Sequence, residues 1–305
     1  MTAANRTFQP DSGVESGVVV VTGANSGIGR AVAVHLASQG YVVYGTVRAV
    51  SKATKLISMA DEAEVKVELV EVDVADDNSV AIGLGDVIRD VGRVDVLINN
   101  AGIAGNGVAE ESSTAKYLEI MNVNLCGSVR CLQAVLPGMR ERRHGVIVNI
   151  SSVAGRVPII GQSAYAASKW ALEGLSEALV QEVAPFGIRV LVIEPGVTKS
   201  AIFSKNVELP KSTGAYQAQY RRMLEFYSCG IANATDPLEV AKLVHFAITT
   251  DEPRLRYAVS WASSELIGGR AAMSDSDWVG LCAEIDDVKY RADFARFFGI
   301  SLVPT

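Results

Sequence analysis

Tyr165-Ala166-Ala167-Ser168-Lys169 sets a phenol and an ammonium four residues apart, on one face of any helix that carries them. A free phenol titrates near 10 and is a poor base at neutral pH. A neighbouring cation stabilises the phenolate and pulls that value down, so the pair is suited to exchange a proton with a reacting oxygen. Of the nine tyrosines, only Tyr165 has a lysine at this spacing. Far upstream, Thr22-Gly23-Ala24-Asn25-Ser26-Gly27-Ile28-Gly29 follows an apolar run of four valines. Glycine there allows close approach to a pyrophosphate where a strand becomes a helix, and the helix start adds free N–H donors and a positive dipole end. In this order the two motifs imply a nucleotide site and an acid for hydride chemistry, the equipment of a nicotinamide oxidoreductase.

The second strand ends on Thr46-Val47-Arg48, about nineteen residues after Gly29, where an NAD-dependent site carries Asp or Glu for the ribose 2′-hydroxyl. A carboxylate would repel a 2′-phosphate, whereas a guanidinium binds it with paired charge-assisted hydrogen bonds. Arg48, with Ser26 as a second donor, therefore favours NADP(H), with NAD(H) still possible. A surface ion pair is the plainer role for Arg48. Asp73 and Val74 close the third strand, where Asp73 is placed to meet an adenine amino group or to serve as an ordinary strand end.

These residues need a scaffold, and the hydrophobic pattern supplies one. Val- and Ile-rich runs without strict alternation predict strands at 18–22, 42–47, 65–72, 94–99, 145–150, 189–194 and 256–261. Amphipathic stretches predict helices at 29–39, 76–92, 125–143, 164–184 and 237–249. Alternating β and α imply an α/β fold, a Rossmann-like doubly wound parallel sheet of about seven strands with helices on both faces. No linker divides the chain, so 17–305 reads as one domain after a disordered tail, 1–16. Residues 199–235 form a long excursion in which Tyr216, Tyr220, Met223 and Tyr227 share a helical face. It serves either as a substrate lid or as a helix packed on its own domain. The segment 274–305 reads as a helical extension that docks on the core or on another subunit.

Composition excludes several classes. The 305 residues carry a formal net charge of −6, which argues against a nucleic-acid surface. No apolar stretch reaches the ~18 residues of a membrane span. The N-terminus has no secretory apolar segment, and four cysteines without metal-like spacing read as reduced, so the expected location is cytoplasmic. The three histidines are scattered, and no metal site is expected.

With Asn99-Asn100-Ala101-Gly102, Asn122-Val123-Asn124-Leu125-Cys126-Gly127, Ile150-Ser151-Ser152 and Pro195-Gly196 added, the chain resembles the short-chain dehydrogenase/reductase family over roughly residues 17–200. The stretch from Val43 to Arg48 is similar to NADP-preferring hydroxysteroid and retinol dehydrogenases of that family. The resemblance implies Tyr165 as general acid/base, Lys169 as its tuning partner and a ligand of the nicotinamide ribose, and Ser152 as donor to the substrate oxygen. It gives Asn124 a water-mediated proton relay. Ser151 and Asn122 are the competing positions. Asn99, Asn100, Ala101 and Gly102 are implied to pass beneath the adenosine ribose, and Pro195, Gly196, Thr198 and Ser200 to frame the nicotinamide.

The expected reaction interconverts an alcohol and a ketone or aldehyde on an apolar molecule such as a steroid, retinoid-like compound or terpenoid. Reduction of a β-ketoacyl thioester is the second enzymatic reading, with the arginines at 140–143 as its only docking cue. A nucleotide sensor without turnover is the reading from another class. The resemblance also implies a homodimer or homotetramer through the helices at 125–143 and 164–184.

Overall fold

Valine and isoleucine dominate seven short segments because both of their faces are covered. In the computed structural model, which describes residues 17–200 and 213–302, these segments pair into one parallel sheet. The strands are β1 (Val18–Val21), β2 (Val42–Val47), β3 (Val67–Glu71), β4 (Val96–Asn99), β5 (Gly145–Ile150), β6 (Ile188–Pro195) and β7 (Arg256–Val259). Their spatial order is β3-β2-β1-β4-β5-β6-β7, with every neighbour parallel.

Successive side chains alternate between two cores, as the pleat requires. Val19, Val21, Val96, Ile98, Val146 and Val148 face α1 (Gly27–Ser38), α2 (Thr54–Glu62) and α8 (Pro237–Thr249). Val20, Leu97 and Ile147 face α3 (Asp77–Val91), α5 (Gly127–Arg142) and α6 (Ser163–Val183). A third apolar cluster joins α7 (Gln217–Ala232), α9 (Ser263–Ala272), α10 (Asp275–Ala283) and α11 (Asp287–Phe298) to the turn after β5. Phe294 and Phe298, at the end of the chain, are buried there against Phe226, Val153 and Val157. The C-terminal helices therefore dock on their own chain.

Three helices escape the sequence pattern, among them α9, where only Ser263 and Leu266 are buried. In α2 only Leu56 and Ala60 are buried, and in α4 (Thr114–Met121) only Ile120. One apolar contact per turn leaves no readable period. The helix expected over 125–143 starts instead at Gly127, after a π-turn over Asn122–Cys126 that joins it to α4. A Cβ on Gly127 would stand 2.8 Å from the Val74 side chain, so that residue holds the helix close to the end of β3. The tail 1–16 and residues 201–212 of the long excursion lie outside the described residues. Among the described residues no helix is long and apolar enough to cross a membrane.

Candidate active site

The candidate residues lie at or just beyond the C-terminal ends of β1, β2, β3, β4, β5 and β6, and on the π-turn and α6 beside them. The order reverses between β1 and β4, which is where an open parallel sheet leaves a crevice. The glycine turn bridges that crevice. Thr22 closes β1, and its hydroxyl accepts from the backbone N–H of Asn100 (2.9 Å) and Ala101 (3.0 Å). Asn100 returns the contact, donating from Nδ2 to the Thr22 carbonyl (2.8 Å) and the Gly23 carbonyl (3.3 Å).

Gly27 has φ +52, and a Cβ there would stand 2.9 Å from Cβ of Ser200. A Cβ on Gly29 would stand 2.3 Å from Nδ2 of Asn100 and 2.6 Å from the Gly23 carbonyl. These glycines therefore admit the protein's own neighbours: they knit the turn to the ends of β4 and β6. Gly23 likewise packs on Ala101.

What remains open around the turn fits an anionic dinucleotide. Ser26 precedes α1 but makes no side-chain cap, and no acid lies in the first turn of the helix. The N–H groups of Gly27, Ile28 and Gly29 thus open the helix without a serine cap or an acidic neighbour. Asn25 donates through Nδ2 to the Lys52 carbonyl, while its buried Oδ1 has no partner among the described residues. Arg48 is exposed at the end of β2 and forms no ion pair with the described residues. Asp73 accepts from the Ala75 N–H through Oδ1 (3.0 Å), and Val74 is buried beside it. Gly102 is exposed on the same rim.

On the other side of the crevice, α6 and the π-turn position the remaining groups. Asn124 is buried; its Oδ1 accepts from the Ile103 N–H (2.8 Å), and its Nδ2 donates to the Ile103 carbonyl (2.8 Å) and to Ser168 Oγ (2.9 Å). A π-turn is the local irregularity that often marks a functional position. Asn122, the competing asparagine, faces elsewhere, with Nδ2 donating to the Ala75 carbonyl and Oδ1 accepting from Arg130.

Lys169 is buried, its Nζ donating to the Ile150 carbonyl (2.9 Å) and standing 5.8 Å from the centre of the Tyr165 ring. Burial pulls its ammonium down to about 8, and Glu173, one turn further along α6, acts in the opposite direction. Tyr165 is half-buried with its hydroxyl deep among protein atoms. Burial pushes the phenol above its ordinary value, and a hydrogen bond with Ser152 opposes that rise. In the chain without nucleotide, burial is the larger influence on the phenol.

The two adjacent serines part ways. Ser152 reaches Tyr165 and also accepts from the Ala154 N–H (3.1 Å). Ser151 is buried, its hydroxyl facing Gly155 and without a partner among the described residues.

The rim over Tyr165 comes from α7 and the loop after β4. Tyr227 donates to Asn106 Oδ1 (2.8 Å) and accepts from Gln162 Nε2. It lies near enough to Tyr165 for the two phenols to repel as anions. Tyr220 and Met223 are buried on the same helix, and Tyr220 donates to Glu111 Oε2 (2.7 Å). At the end of β6, Pro195 leads into Gly196, where a Cβ would stand 2.0 Å from the Trp261 carbonyl. Thr198 is buried with its hydroxyl against Ser260 (2.8 Å). Sequence reasoning passed over Thr22 as a strap, Asn106 and Gln162 as rim donors, and Glu173 beside the lysine. Only Glu173 had a readable signal, the continuing four-residue stripe Tyr165, Lys169, Glu173.

Residues 17–210 match the model of the short chain dehydrogenase family. The 3-ketodihydrosphingosine reductase of Bacteroides thetaiotaomicron is 36% identical over 245 residues, covering 79% of this chain and 87% of that protein. The 17-beta-hydroxysteroid dehydrogenase type 1 of Mus musculus is 37% identical over 253 residues, covering 79% and 72%. A metagenomic short-chain oxidoreductase solved in complex with NADP superimposes with a TM-score of 0.64 at 29% identity, covering 80% of this chain and 96% of that one. With the parallel sheet, the glycine turn and the Tyr–Lys helix in place, this chain belongs to the short-chain dehydrogenase family of oxidoreductases.

Proposed function

We propose that the protein interconverts a secondary alcohol and a ketone, or an alcohol and an aldehyde, on an apolar small molecule of steroid, retinoid-like or terpenoid character, with NADP(H) as cofactor. The observation that carries this reading is the convergence of Ser152, Tyr165 and Lys169 at the end of β5 beneath the aromatic face of α7. When bound, the nicotinamide supplies or accepts the hydride.

Every other step belongs to this chain. In reduction Ser152 and Tyr165 both point hydroxyl donors at one place, where a carbonyl oxygen is held and its developing charge stabilised. Tyr165 then gives its proton to that oxygen, and in oxidation the phenolate takes it back. Lys169 has spent one of its three donors on Ile150, so two remain for ribose hydroxyls, and its charge favours the phenolate. Asn124, tied to Ile103 and Ser168 behind the lysine, is the residue for a water-mediated relay.

Arg48, unpaired with the described residues, supports the phosphorylated cofactor, as does the NADP complex of the similar structure. The substrate class draws on the names of the relatives, a sphingoid-base reductase and a steroid dehydrogenase. It also draws on α7 as a lid with Tyr220, Met223 and Tyr227 facing inward. The thioester reading is weaker. Arg142 and Arg143 are spent on the carbonyls of Val94 and Pro185 at the N-terminal end of β5, opposite the site. The hollow lined by Leu125 and Cys126 of the π-turn, Val129 of α5 and Leu175 of α6 is the face we assign to a homodimer or homotetramer.

The test is NADPH consumption across steroid, retinoid, terpenoid and acyl-thioester carbonyls, with an NADH arm and a Tyr165→Phe control. Turnover on apolar ketones that the control lacks supports the reading. Preference for thioesters replaces it, and tight NADPH binding with no turnover on any carbonyl makes the protein a sensor.

A further inference from the structure

The stripe on α6 continues past the lysine. Tyr165, Lys169, Glu173 and Glu177 follow one another at four-residue spacing and so share a face. Glu173 is 5% exposed, a burial that a carboxylate tolerates only when it is paired. Its Oε2 accepts from Arg256 Nε (2.8 Å), delivered by β7, while its Oε1 is buried without a hydrogen-bond partner among the described residues. Arg256 also reaches Glu177 (2.6 Å) and lies 3.5 Å from Glu194 of β6, and Arg156 from the turn after β5 binds the same Glu194 oxygen (3.0 Å). Three carboxylates thus share two guanidiniums beneath the site. When all three are ionised the cluster holds one more negative charge than positive, before Lys169 is counted. Gly155 is pressed between Ser151 Oγ, the Glu173 side chain and the Lys169 carbonyl, which locks this cluster to the end of β5.

We propose that Glu173 is a positioning residue for the Lys169–Tyr165 pair: its carboxylate, clamped from β7 by Arg256, keeps the Lys169 ammonium charged against the Ile150 carbonyl beneath the phenol. The inference rests on the acid–base reading of Tyr165 above. Burial alone drives a lysine toward its neutral form, and a neutral amine neither stabilises a phenolate nor holds ribose hydroxyls as a cation. Glu173 is the anion that opposes this loss, and it is the group acting on Lys169 against burial. The other charged or titratable groups around the lysine are Tyr165 on its own helix, Tyr227 beyond it on α7, Arg156, Glu194 and Arg256.

The experiment follows the Lys169 13Cε resonance with pH in the full chain without nucleotide, assigned by its loss in Lys169→Arg. The lysine is expected to titrate at about 8 in the unaltered protein. In Glu173→Gln it falls by about one pH unit, and in Arg256→Gln, which frees the carboxylate, it rises. General damage to the fold moves both variants the same way, so opposite signs carry the proposal. The alkaline limb of ketone reduction moves toward neutrality in Glu173→Gln by the same amount. The proposal is overturned if Glu173→Gln leaves the lysine where it is, or if both variants shift it in one direction. Where Glu173→Gln does not fold, Arg256→Gln decides alone: an upward shift supports the proposal, and an unmoved or lower titration overturns it. Opposite shifts in a protein that reduces no carbonyl would fail the functional reading and leave the charge coupling standing.

Discussion

Gly29→Ala separates two reasons for a glycine that are often merged. If the residue only leaves room for a phosphate, the substitution weakens nucleotide binding and spares the fold. The structure demands more, because the new Cβ would stand 2.3 Å from Asn100 Nδ2 and 2.6 Å from the Gly23 carbonyl. Relief requires Asn100 to leave its bonds to Thr22 and Gly23, which together are worth about 2 kcal/mol. Overpacking in a tight site adds roughly 1–3 kcal/mol, and the better helix propensity of alanine returns about 1 kcal/mol. The net is a loss of about 3 kcal/mol, and for a domain of this size the melting temperature falls by about 6–12 °C. Gly85→Ala, exposed in α3 with nothing within 4 Å of its new Cβ, is the control and gains about 0.5–1 kcal/mol. Thermal melts followed by circular dichroism, without nucleotide, read both. A Gly29→Ala melt within about 2 °C of the unaltered protein would refute the packing argument and leave the glycine to the ligand alone.

Tyr165→Phe removes the proton donor and lowers turnover by about 10²–10⁴-fold, while NADPH affinity measured by fluorescence stays within about twofold; retained turnover rules out the phenol. Ser152→Ala takes away the bond that holds the phenol down, so the pKa of Tyr165 rises. Because alcohol oxidation needs the phenolate, its pH–rate limb moves to higher pH by about one unit; a limb that stays put assigns Ser152 no part in tuning. Arg48→Ala costs NADPH binding about tenfold or more and leaves NADH binding unchanged by calorimetry; equal losses on both nucleotides would return Arg48 to an ordinary surface charge.

The central strands were legible because buried parallel strands carry β-branched runs on both faces, as in Val18–Val21 and Gly145–Ile150; the edge strands β3 and β7 are less buried and read less plainly. The proposed site residues were read as motifs, since chemistry fixes both type and spacing, and the fold brings Ser152, Tyr165 and Lys169 together. What the sequence hid is what geometry supplies late. The four-residue spacing announced that Lys169 lies near Tyr165, yet the lysine proves to be tied to Ile150, and burial moves both groups toward their neutral forms. Nor does Asn106 declare itself as a partner of Tyr227, because 121 residues separate them and only the docking of α7 brings them together. The choice of Ser152 over Ser151 likewise became physical only when β5 ended, one hydroxyl facing Tyr165 and the other turned inward.

The two motifs work as one site because they share a polar floor. Asn99, at the end of β4, donates to Asn149 of β5 (2.9 Å), which donates to Ser176 of α6 (2.9 Å), which bonds the Leu172 carbonyl (2.7 Å). Thr22 joins β1 to the segment directly after Asn99. Asn99 Oδ1 is buried without a partner among the described residues, but breaking any of the bonds that are made would cost further desolvation, so the chain resists sliding of the strands and ties α6 to the glycine turn. Helix α6 also carries Tyr165 and Lys169, whose placement relative to a bound nucleotide must hold to a fraction of an ångström for proton transfer to follow hydride transfer. On the proposed reading, the asparagines and serine beneath the site would do for distance what Glu173 and Arg256 would do for charge: none needs to touch a substrate, and each would set the conditions under which Tyr165 acts.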